Sequence, residues 1–308
     1  YWKVVATDPS GSKTSSVMDF TMIWGPEWSY ETGDELRTTA FSADGEYFVA
    51  GSNDNKVYLF DKDSSTPLWS YTTGRDVRSV AISEDGTYIV AGSEDDKVYL
   101  FNKNSSTPLW TFDGGNHFAS VDITPNGEYI AAGIGEESGG VDYRVYLFHR
   151  SSSTPLWSYE VGDWVWSVSL SADGSYLAAA SSCFSGGTSC GGNVSVFHKS
   201  SSNPLQTWII GSNAREVAIS ADGKYITAGG WGNKVWLFDR DSSTALWDYT
   251  VGSDIEGIDI TPDGEYIVAA AGGDADKLYV FDKDSSSPLW TYHADDSHGV
   301  ISCRFSAD

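Results

Sequence analysis

A short turn sequence, Asp or Asn followed by Gly, any residue and Tyr, recurs six times along this chain of 308 residues. The turns begin at Asp44, Asp85, Asn126, Asp173, Asp222 and Asp263. Successive turn glycines are separated by 41, 41, 47, 49 and 41 residues. That period is typical of four-stranded propeller blades and is too long for leucine-rich or short helical repeats. The repeat therefore constrains the chain to an array of small β-sheets.

One repeat contains four predicted strands. Residues 77–82 form strand a, and the Asp85-Gly86 turn leads into the apolar strand b at 88–92. Strand c follows at 97–101, and a Ser-rich loop leads to strand d at 109–112. Asp-Gly favours a tight hairpin because glycine supplies the positive φ. A unit this small cannot bury both of its faces alone, so neighbouring units must stack on it.

The two chain ends complement each other. Residues 300–308 match strand a up to the turn aspartate, whereas residues 3–7, 17–23 and 28–30 match strands b, c and d. Pairing the ends would remove two exposed sheet edges. The sequence therefore predicts an all-β fold, a seven-bladed β-propeller of four-stranded antiparallel blades. One domain spans residues 1–308, and its last blade combines 1–30 with 297–308.

Two families resemble the repeat. Residues 83–93 are similar to the strand a to strand b segment of WD40 propellers, although Phe60-Asp61 and Phe101-Asn102 stand where that family has Trp-Asp. Leu68-Trp69-Ser70-Tyr71 resembles strand d of pyrroloquinoline-quinone (PQQ)-type propellers. Both resemblances imply the propeller fold and leave the function open, because one fold hosts many functions.

The composition limits the range of partners. A formal net charge of −24 and a pI near 4.3 argue against nucleic acid, which requires a basic face. No apolar stretch approaches the length of a membrane span, so membrane insertion is not expected, and we expect a monomer. Cys183 and Cys190 flank an insertion between strands b and c, where we expect a disulfide; two unpaired thiols are the alternative. The expected location is extracellular or at the cell surface.

The search for chemistry yields no catalytic residue, no metal ligands and no required cofactor. Acidic pairs such as Asp61 and Asp63 suggest Ca²⁺ but lack further oxygen donors, so solvated turns are favoured. One tryptophan register recurs in strand d and indicates packing between blades. It comprises Trp28, Trp69, Trp110, Trp157, Trp247 and Trp290, and Gln206 takes its place in one repeat.

A variable register at the start of strand a is the predicted binding site, at one mouth of the central channel. The candidate ligand-binding residues are Arg37, Arg78, His117, Trp164, Trp166, Arg215 and Glu256. Variation on a fixed scaffold is what a binding site requires. Three arginines in an acidic protein would attract an anionic or carbohydrate ligand, or an acidic segment of a partner protein. The alternative is that each arginine pairs with a nearby acid, such as Glu35, and fills the entrance.

Three functional classes follow. The first is a non-catalytic binding or scaffold module that recognises a protein, carbohydrate or anionic ligand. The second is a quinoprotein-like oxidoreductase, which the PQQ-type resemblance suggests; it would need Ca²⁺ and PQQ, and the seven predicted blades and the absence of adjacent cysteines disfavour it. The third is a lyase or hydrolase that uses His117 or Glu256 as acid or base at the mouth.

Overall fold

The fold consists of short β-strands. A computed structural model describes residues 28–135, 142–182, 191–211, 213–272, 276–293 and 302–305, and the backbone of 6–7 and 19–20. Throughout these ranges the ordered elements are strands, and none of the segments forms a helix that could cross a membrane. Two strands, β1 (Ala6–Thr7) and β2 (Asp19–Phe20), pair antiparallel near the amino end.

Twenty-four further strands form six four-stranded antiparallel sheets, each in the order a, b, c, d. Sheet 1 contains β3 (Leu36–Phe41), β4 (Tyr47–Ser52), β5 (Lys56–Asp61) and β6 (Trp69–Thr72). Sheet 2 contains β7 (Val77–Ile82), β8 (Tyr88–Ser93), β9 (Lys97–Asn102) and β10 (Trp110–Asp113). Sheet 3 contains β11 (Phe118–Ile123), β12 (Tyr129–Ile134), β13 (Arg144–His149) and β14 (Trp157–Glu160).

The remaining three sheets repeat this plan. Sheet 4 contains β15 (Val165–Leu170), β16 (Tyr176–Ser181), β17 (Asn193–His198) and β18 (Pro204–Ile209). Sheet 5 contains β19 (Ala214–Ile219), β20 (Tyr225–Gly230), β21 (Lys234–Asp239) and β22 (Ala245–Thr250). Sheet 6 contains β23 (Ile255–Ile260), β24 (Tyr266–Ala271), β25 (Lys277–Asp282) and β26 (Trp290–His293).

The predicted repeat is confirmed, whereas the described residues contain six complete blades and not seven. Strands b and c of the split blade correspond to the β1–β2 pair. Residues 28–30 and 302–305, predicted as parts of strands d and a of the split blade, are described and are not assigned as strands. Six stacked sheets with adjacent inner strands support a propeller, and closure by a seventh blade stays a prediction.

Tryptophans of the outer strands join each sheet to the next. The Trp110 Nε1–H donates to the Arg150 carbonyl oxygen at 2.8 Å, and Trp69 donates in the same way to Lys103. In sheet 4, Gln206 pairs with Val196 where the other sheets have Trp, and Trp208, two residues later on the same face, donates to the Ser242 carbonyl. The hydrogen bond between sheets is thus kept although the register is shifted by two residues.

In sheets 1 to 5, the tyrosine at the start of strand b lies against the turn glycine of the following sheet. A Cβ added to Gly127 would lie 2.5 Å from the Tyr88 ring, and Arg150 covers that ring at 5.0 Å. The same glycine–tyrosine contact recurs in four further turns, at Gly86, Gly174, Gly223 and Gly264. The Asp-Gly turn of the sequence therefore serves two purposes: it allows a positive φ and leaves space for a neighbouring aromatic ring.

Hydroxyl groups connect the inner strands. The Val121 N–H donates to Ser79 Oγ at 3.0 Å, and the Val168 N–H donates to Ser120 Oγ at the same distance. Between the sheets, large apolar side chains of strands b and c are fully buried, including Phe101, Phe148, Phe197, Phe238 and Phe281. The core is therefore a series of layers, one between each pair of sheets.

The glycine–tyrosine contact predicts a difference between two turn glycines. Gly127→Ala should destabilise the fold by roughly 1–2 kcal/mol for its left-handed backbone and more for the collision with Tyr88. Gly162→Ala is the matched control, because Gly162 also has a positive φ and no atom lies within 4 Å of an added Cβ. Urea unfolding would measure both, and equal losses would contradict the packing role of Tyr88.

Candidate functional site

Each inner strand contains a β-bulge, and the bulged residue is the variable residue of the predicted mouth. In sheet 2, Val77 pairs with Ser93 and Ser79 with Gly92, so that Arg78 lies outside the ladder. The same shift occurs in all six sheets. The residues at this position are Arg37, Arg78, Ala119, Trp166, Arg215 and Glu256. A bulge frees a residue from pairing and redirects its side chain, which explains why this register tolerates different chemistry.

Each bulged arginine meets the residue sixteen positions later, on the turn between strands b and c. Arg37 Nε donates to Asn53 Oδ1 at 2.9 Å, and its guanidinium lies 4.0 Å from the exposed Glu35 carboxylate. Arg78 Nε donates to the buried Glu94 carboxylate at 2.5 Å. The pairing of these two arginines with neighbouring polar groups, the alternative to ligand binding, is therefore present in the structure.

Arg215 makes a different contact in the same register. Its guanidinium packs against two neighbouring indole rings, 4.7 Å from the centre of Trp166 and 4.6 Å from that of Trp231. Arg215 also lies 3.6 Å from the Glu256 carboxylate of sheet 6, and Trp164 lies 5.4 Å from Trp166. Sheets 4, 5 and 6 thus share one aromatic and charged cluster at the mouth, stabilised by cation–π attraction.

The third sheet has the smallest residues at the mouth. Ala119 faces Gly135, where an added Cβ would collide with the Ala119 methyl group. Beside them, His117 Nε2 lies 3.0 Å from Arg75, which also lies 3.5 Å from Glu94. The small residues Ala119 and Gly135 therefore lie between a polar group of His117, Arg75 and Glu94 on one side and the cluster of Trp164 and Trp166 on the other.

The structure brings all seven predicted site residues to one end of the stack of sheets. This end, which we call the mouth, consists of the starts of the strands a and the turns between strands b and c. Sequence analysis missed Glu94 and Trp231, although the constant spacing of sixteen residues from Arg78 and Arg215 was a usable signal. Cys183 and Cys190 lie outside the described residues, so the disulfide stays a prediction. Within the described ranges no group of three His, Cys, Asp or Glu side chains is arranged to hold a metal.

Below the mouth, two aspartates of the inner strands act as acceptors for the next unit. Asp122 of sheet 3 accepts the Leu170 N–H of sheet 4 at 2.7 Å. Asp259 of sheet 6 accepts the Phe305 N–H at 2.8 Å, and the Arg304 guanidinium donates to the Ile258 carbonyl at 2.8 Å. Residues 302–305 therefore lie on sheet 6 as β15 lies on sheet 3.

Glu216 occupies the register in which four other inner strands have a hydroxyl group. Burial raises the pKa of Glu216 to about 7, and Arg304 and Arg215 oppose this rise. Burial also raises the pKa of Asp122 to about 6, against its backbone hydrogen bonds and Arg304. Because Arg304 acts on carboxylates of both sheet 3 and sheet 5, the inner strands face a common interior. Perturbed carboxylates in such an interior are typical of functional sites but also occur in structural networks.

The raised pKa values predict that the fold loses stability as the pH rises. Between the unfolded pKa of Glu216, 4.5, and its folded value near 7, the folded state binds more protons than the unfolded state. The free energy of unfolding should therefore fall by about 1–2 kcal/mol from pH 5 to pH 8, which is less than the full pKa difference implies because Glu216 is only partly shielded from solvent. Urea unfolding at intervals across this range measures the slope.

Glu216→Gln should flatten this slope, because the amide does not titrate. Glu35→Gln is the matched control, since the Glu35 side chain is 73% exposed and lies at the mouth. A Glu216→Gln protein with the same slope as the wild type would contradict the assignment.

In acid, the free energy of unfolding should instead fall as the pH falls. The Ser42 hydroxyl and the Glu46 N–H lower the pKa of Asp44, so the stability that the ionised Asp44 contributes is lost as the pH falls below about 4.

Comparison with known proteins identifies the repeat. A PQQ-repeat family model, described as outer membrane protein assembly factor BamB, matches residues 3–163, just over half of the chain. The match extends over sheets 1 to 3 and the residues before them, and it confirms the resemblance seen in Leu68-Trp69-Ser70-Tyr71. A search among curated proteins finds no match.

Proposed function

Because this chain belongs to the PQQ-repeat family described as outer membrane protein assembly factor BamB, we propose that it is a non-catalytic binding propeller whose partner docks at the mouth. The partner class that we propose is a protein, in an exported or cell-surface setting. The description of the matched family, an assembly factor for other proteins, supports this choice over a carbohydrate or a small anion.

The difference between the two ends of the stack carries the proposal. At the end opposite the mouth, the same contacts recur from sheet to sheet, as Trp69, Trp110 and Trp157 illustrate with their bonds to neighbouring carbonyls. At the mouth, the bulged residue and the residue sixteen positions later differ from sheet to sheet. They are Arg78 and Glu94 in sheet 2, Ala119 and Gly135 in sheet 3, and Arg215 and Trp231 in sheet 5. Packing alone would favour repetition at both ends, so variation confined to one end supports recognition there.

The lengths of the connections between strands b and c also support a binding site at the mouth. The two repeats of 47 and 49 residues carry their extra residues between β12 and β13 and between β16 and β17. Both connections start from the mouth, on either side of Trp164 and Trp166. Insertions on one face of a repeat array commonly belong to its binding face. The aromatic and arginine side chains present are those that dominate protein interfaces.

We further propose that a seventh blade closes the ring. The Phe305 N–H meets Asp259 in the register in which the Leu170 N–H meets Asp122. At the other end of the stack, Trp28 Nε1 donates to the Lys62 carbonyl at 2.7 Å, as the strand d tryptophans do. Leu36 and Trp290, which lie on the two sides where the seventh blade is proposed, are 50% and 40% exposed, whereas Val77 in the register of Leu36 is fully buried.

A quinoprotein oxidoreductase is the second candidate, since the matched model is a PQQ-repeat model. A calcium-bound quinone would need a cluster of oxygen ligands, and the side chains of the described segments supply no group of three carboxylates or histidines arranged around one point. A change in visible absorbance on addition of PQQ would be the direct sign of cofactor binding.

A thermal-melting screen tests the binding site. The purified protein is melted with Ca²⁺, PQQ, neutral and acidic oligosaccharides, an acidic peptide, and a β-hairpin peptide from an outer membrane protein. A ligand that binds only the folded state at a hundredfold excess over its Kd should add about 2.7 kcal/mol of stability. We expect a rise with a peptide, which the triple change Arg37→Ala, Arg78→Ala and Arg215→Ala abolishes.

The matched control removes three positive charges at the opposite end that form surface ion pairs, by Lys62→Ala, Lys224→Ala and Lys283→Ala. This control should keep the rise in melting temperature. Equal loss in both triple variants would indicate a charge effect and contradict docking at the mouth. A rise with PQQ alone, accompanied by visible absorbance, would favour the oxidoreductase.

The tryptophan that recurs in strand d provides a separate test of ring closure by a seventh blade. Trp110→Phe removes one hydrogen bond between sheets and should cost about 1 kcal/mol. Trp290 holds the same register in sheet 6, facing the proposed seventh blade. In a closed ring Trp290→Phe should therefore cost as much as Trp110→Phe, measured by urea unfolding. A negligible cost would contradict closure without affecting the proposal for the mouth.

A further inference from the structure

The turns between strands c and d are nearly identical in all six sheets. In each, the second residue of the turn donates its N–H to the side chain at the end of strand c, as Asp63 does to Asp61 and Asp284 does to Asp282. The residues in this second position are Asp63, Asn104, Ser151, Ser200, Asp241 and Asp284. Only sheet 2 has an asparagine there, and Ser105 and Ser106 follow it, which makes Asn-x-Ser.

The turn presents Asn104 outward. Asn104 is exposed, and its backbone N–H is held by Asn102 Oδ1 at 3.1 Å. Ser105 Oγ accepts the Thr107 N–H at 3.0 Å, so Ser105 fixes the loop while Ser106 supplies the third position of the triplet. Asn104 also borders an open depression of about 330 Å³ beside Tyr47 and Lys103, which leaves space for a first sugar residue.

The second Asn-x-Ser triplet, at Asn193, has the opposite setting. Asn193 begins β17, an interior strand of sheet 4, and pairs with Ser181 on one side and Ile209 on the other. Val194 and Ser195, the other two residues of the triplet, are buried. The fold therefore separates two triplets that are equivalent as sequence: one lies on a surface turn and the other is part of a sheet.

We propose that Asn104 is an N-glycosylation site of the exported protein and that Asn193 is not. In the transfer, the Asn104 amide nitrogen displaces the diphosphate of a lipid-linked oligosaccharide, forming a C–N bond as the C1–O bond breaks. The lipid diphosphate leaves and the amide proton passes to a base, so no oxidant or reductant is needed. The glycan would stand at the end opposite the mouth, where it would not obstruct a partner.

Secretion of the full chain behind a signal peptide in human cells tests this inference. Peptide mass spectrometry before and after treatment with peptide N-glycosidase reports the modified residue. We expect a glycan at Asn104, none at Asn193, and loss of the mobility shift in Asn104→Gln with unchanged secretion and circular dichroism. Asp63→Asn is the matched variant, since it places the same triplet on the equivalent turn of sheet 1, and we expect one additional glycan.

An unmodified Asn104 in the secreted protein would overturn the inference, whether or not Asp63→Asn gains a glycan. Modification at Asn193 in the folded protein would overturn the second half of it. The inference rests on the proposed export, but its failure is distinguishable from failure of the binding proposal, because the melting screen uses protein without glycans.

Discussion

The contact between a tyrosine ring and the turn glycine of the next sheet is the interaction on which the rest of the structure depends. Gly127 can approach Tyr88 because it has no Cβ, and Arg150 covers the other face of the ring. The neighbouring Trp110 donates to the carbonyl of that same Arg150. One sheet is thus held to the next by a packed ring, a cation–π contact and a hydrogen bond, all at the end opposite the mouth. Individually weak terms of this kind add up when repeated in an array.

This arrangement separates the contacts that join the sheets from the variable residues of the mouth. The end opposite the mouth fixes the spacing of the sheets, whereas the bulged residues at the mouth form no ladder hydrogen bonds with strand b. Arg78 and Arg215 therefore meet partners as different as Glu94 and Trp231 without any change in strand pairing. Below the mouth, polar side chains of the inner strands couple neighbouring sheets, and burial raises the pKa of Glu216 in this region to about 7.

Much of the fold could be predicted from the sequence because its determinants are local. The Asp85-Gly86 turn and the alternating strands place β7 at the predicted residues and β8 to β10 within one residue of prediction. The identity of the mouth also followed from a variable register at a fixed distance from the turn glycine. That Trp208 supplies the hydrogen bond in place of Gln206 was not predictable, because β22 has the same bulge as β18 and yet keeps Trp247 in the usual register.

The parts that could not be predicted depend on contacts between distant sheets. That Arg215 also packs against Trp166 follows from the stacking of sheets 4 and 5, and no pattern within one repeat indicates this contact. The raised pKa of Glu216 likewise arises from burial in the folded chain, and Arg304 near the carboxyl end partly offsets this rise. Local sequence determines the blade, whereas these long-range contacts determine the chemistry of the channel.

The bulge in every inner strand has a consequence for the diversification of such proteins. A substitution in a regular strand must satisfy two neighbouring strands and a buried layer, so most changes there impair folding. A bulged residue lies outside those constraints, which makes the six bulges comparable to the variable loops of an antibody carried on a constant framework. New specificities could therefore be selected by randomising these six positions and the six turn residues opposite them, with the framework kept intact.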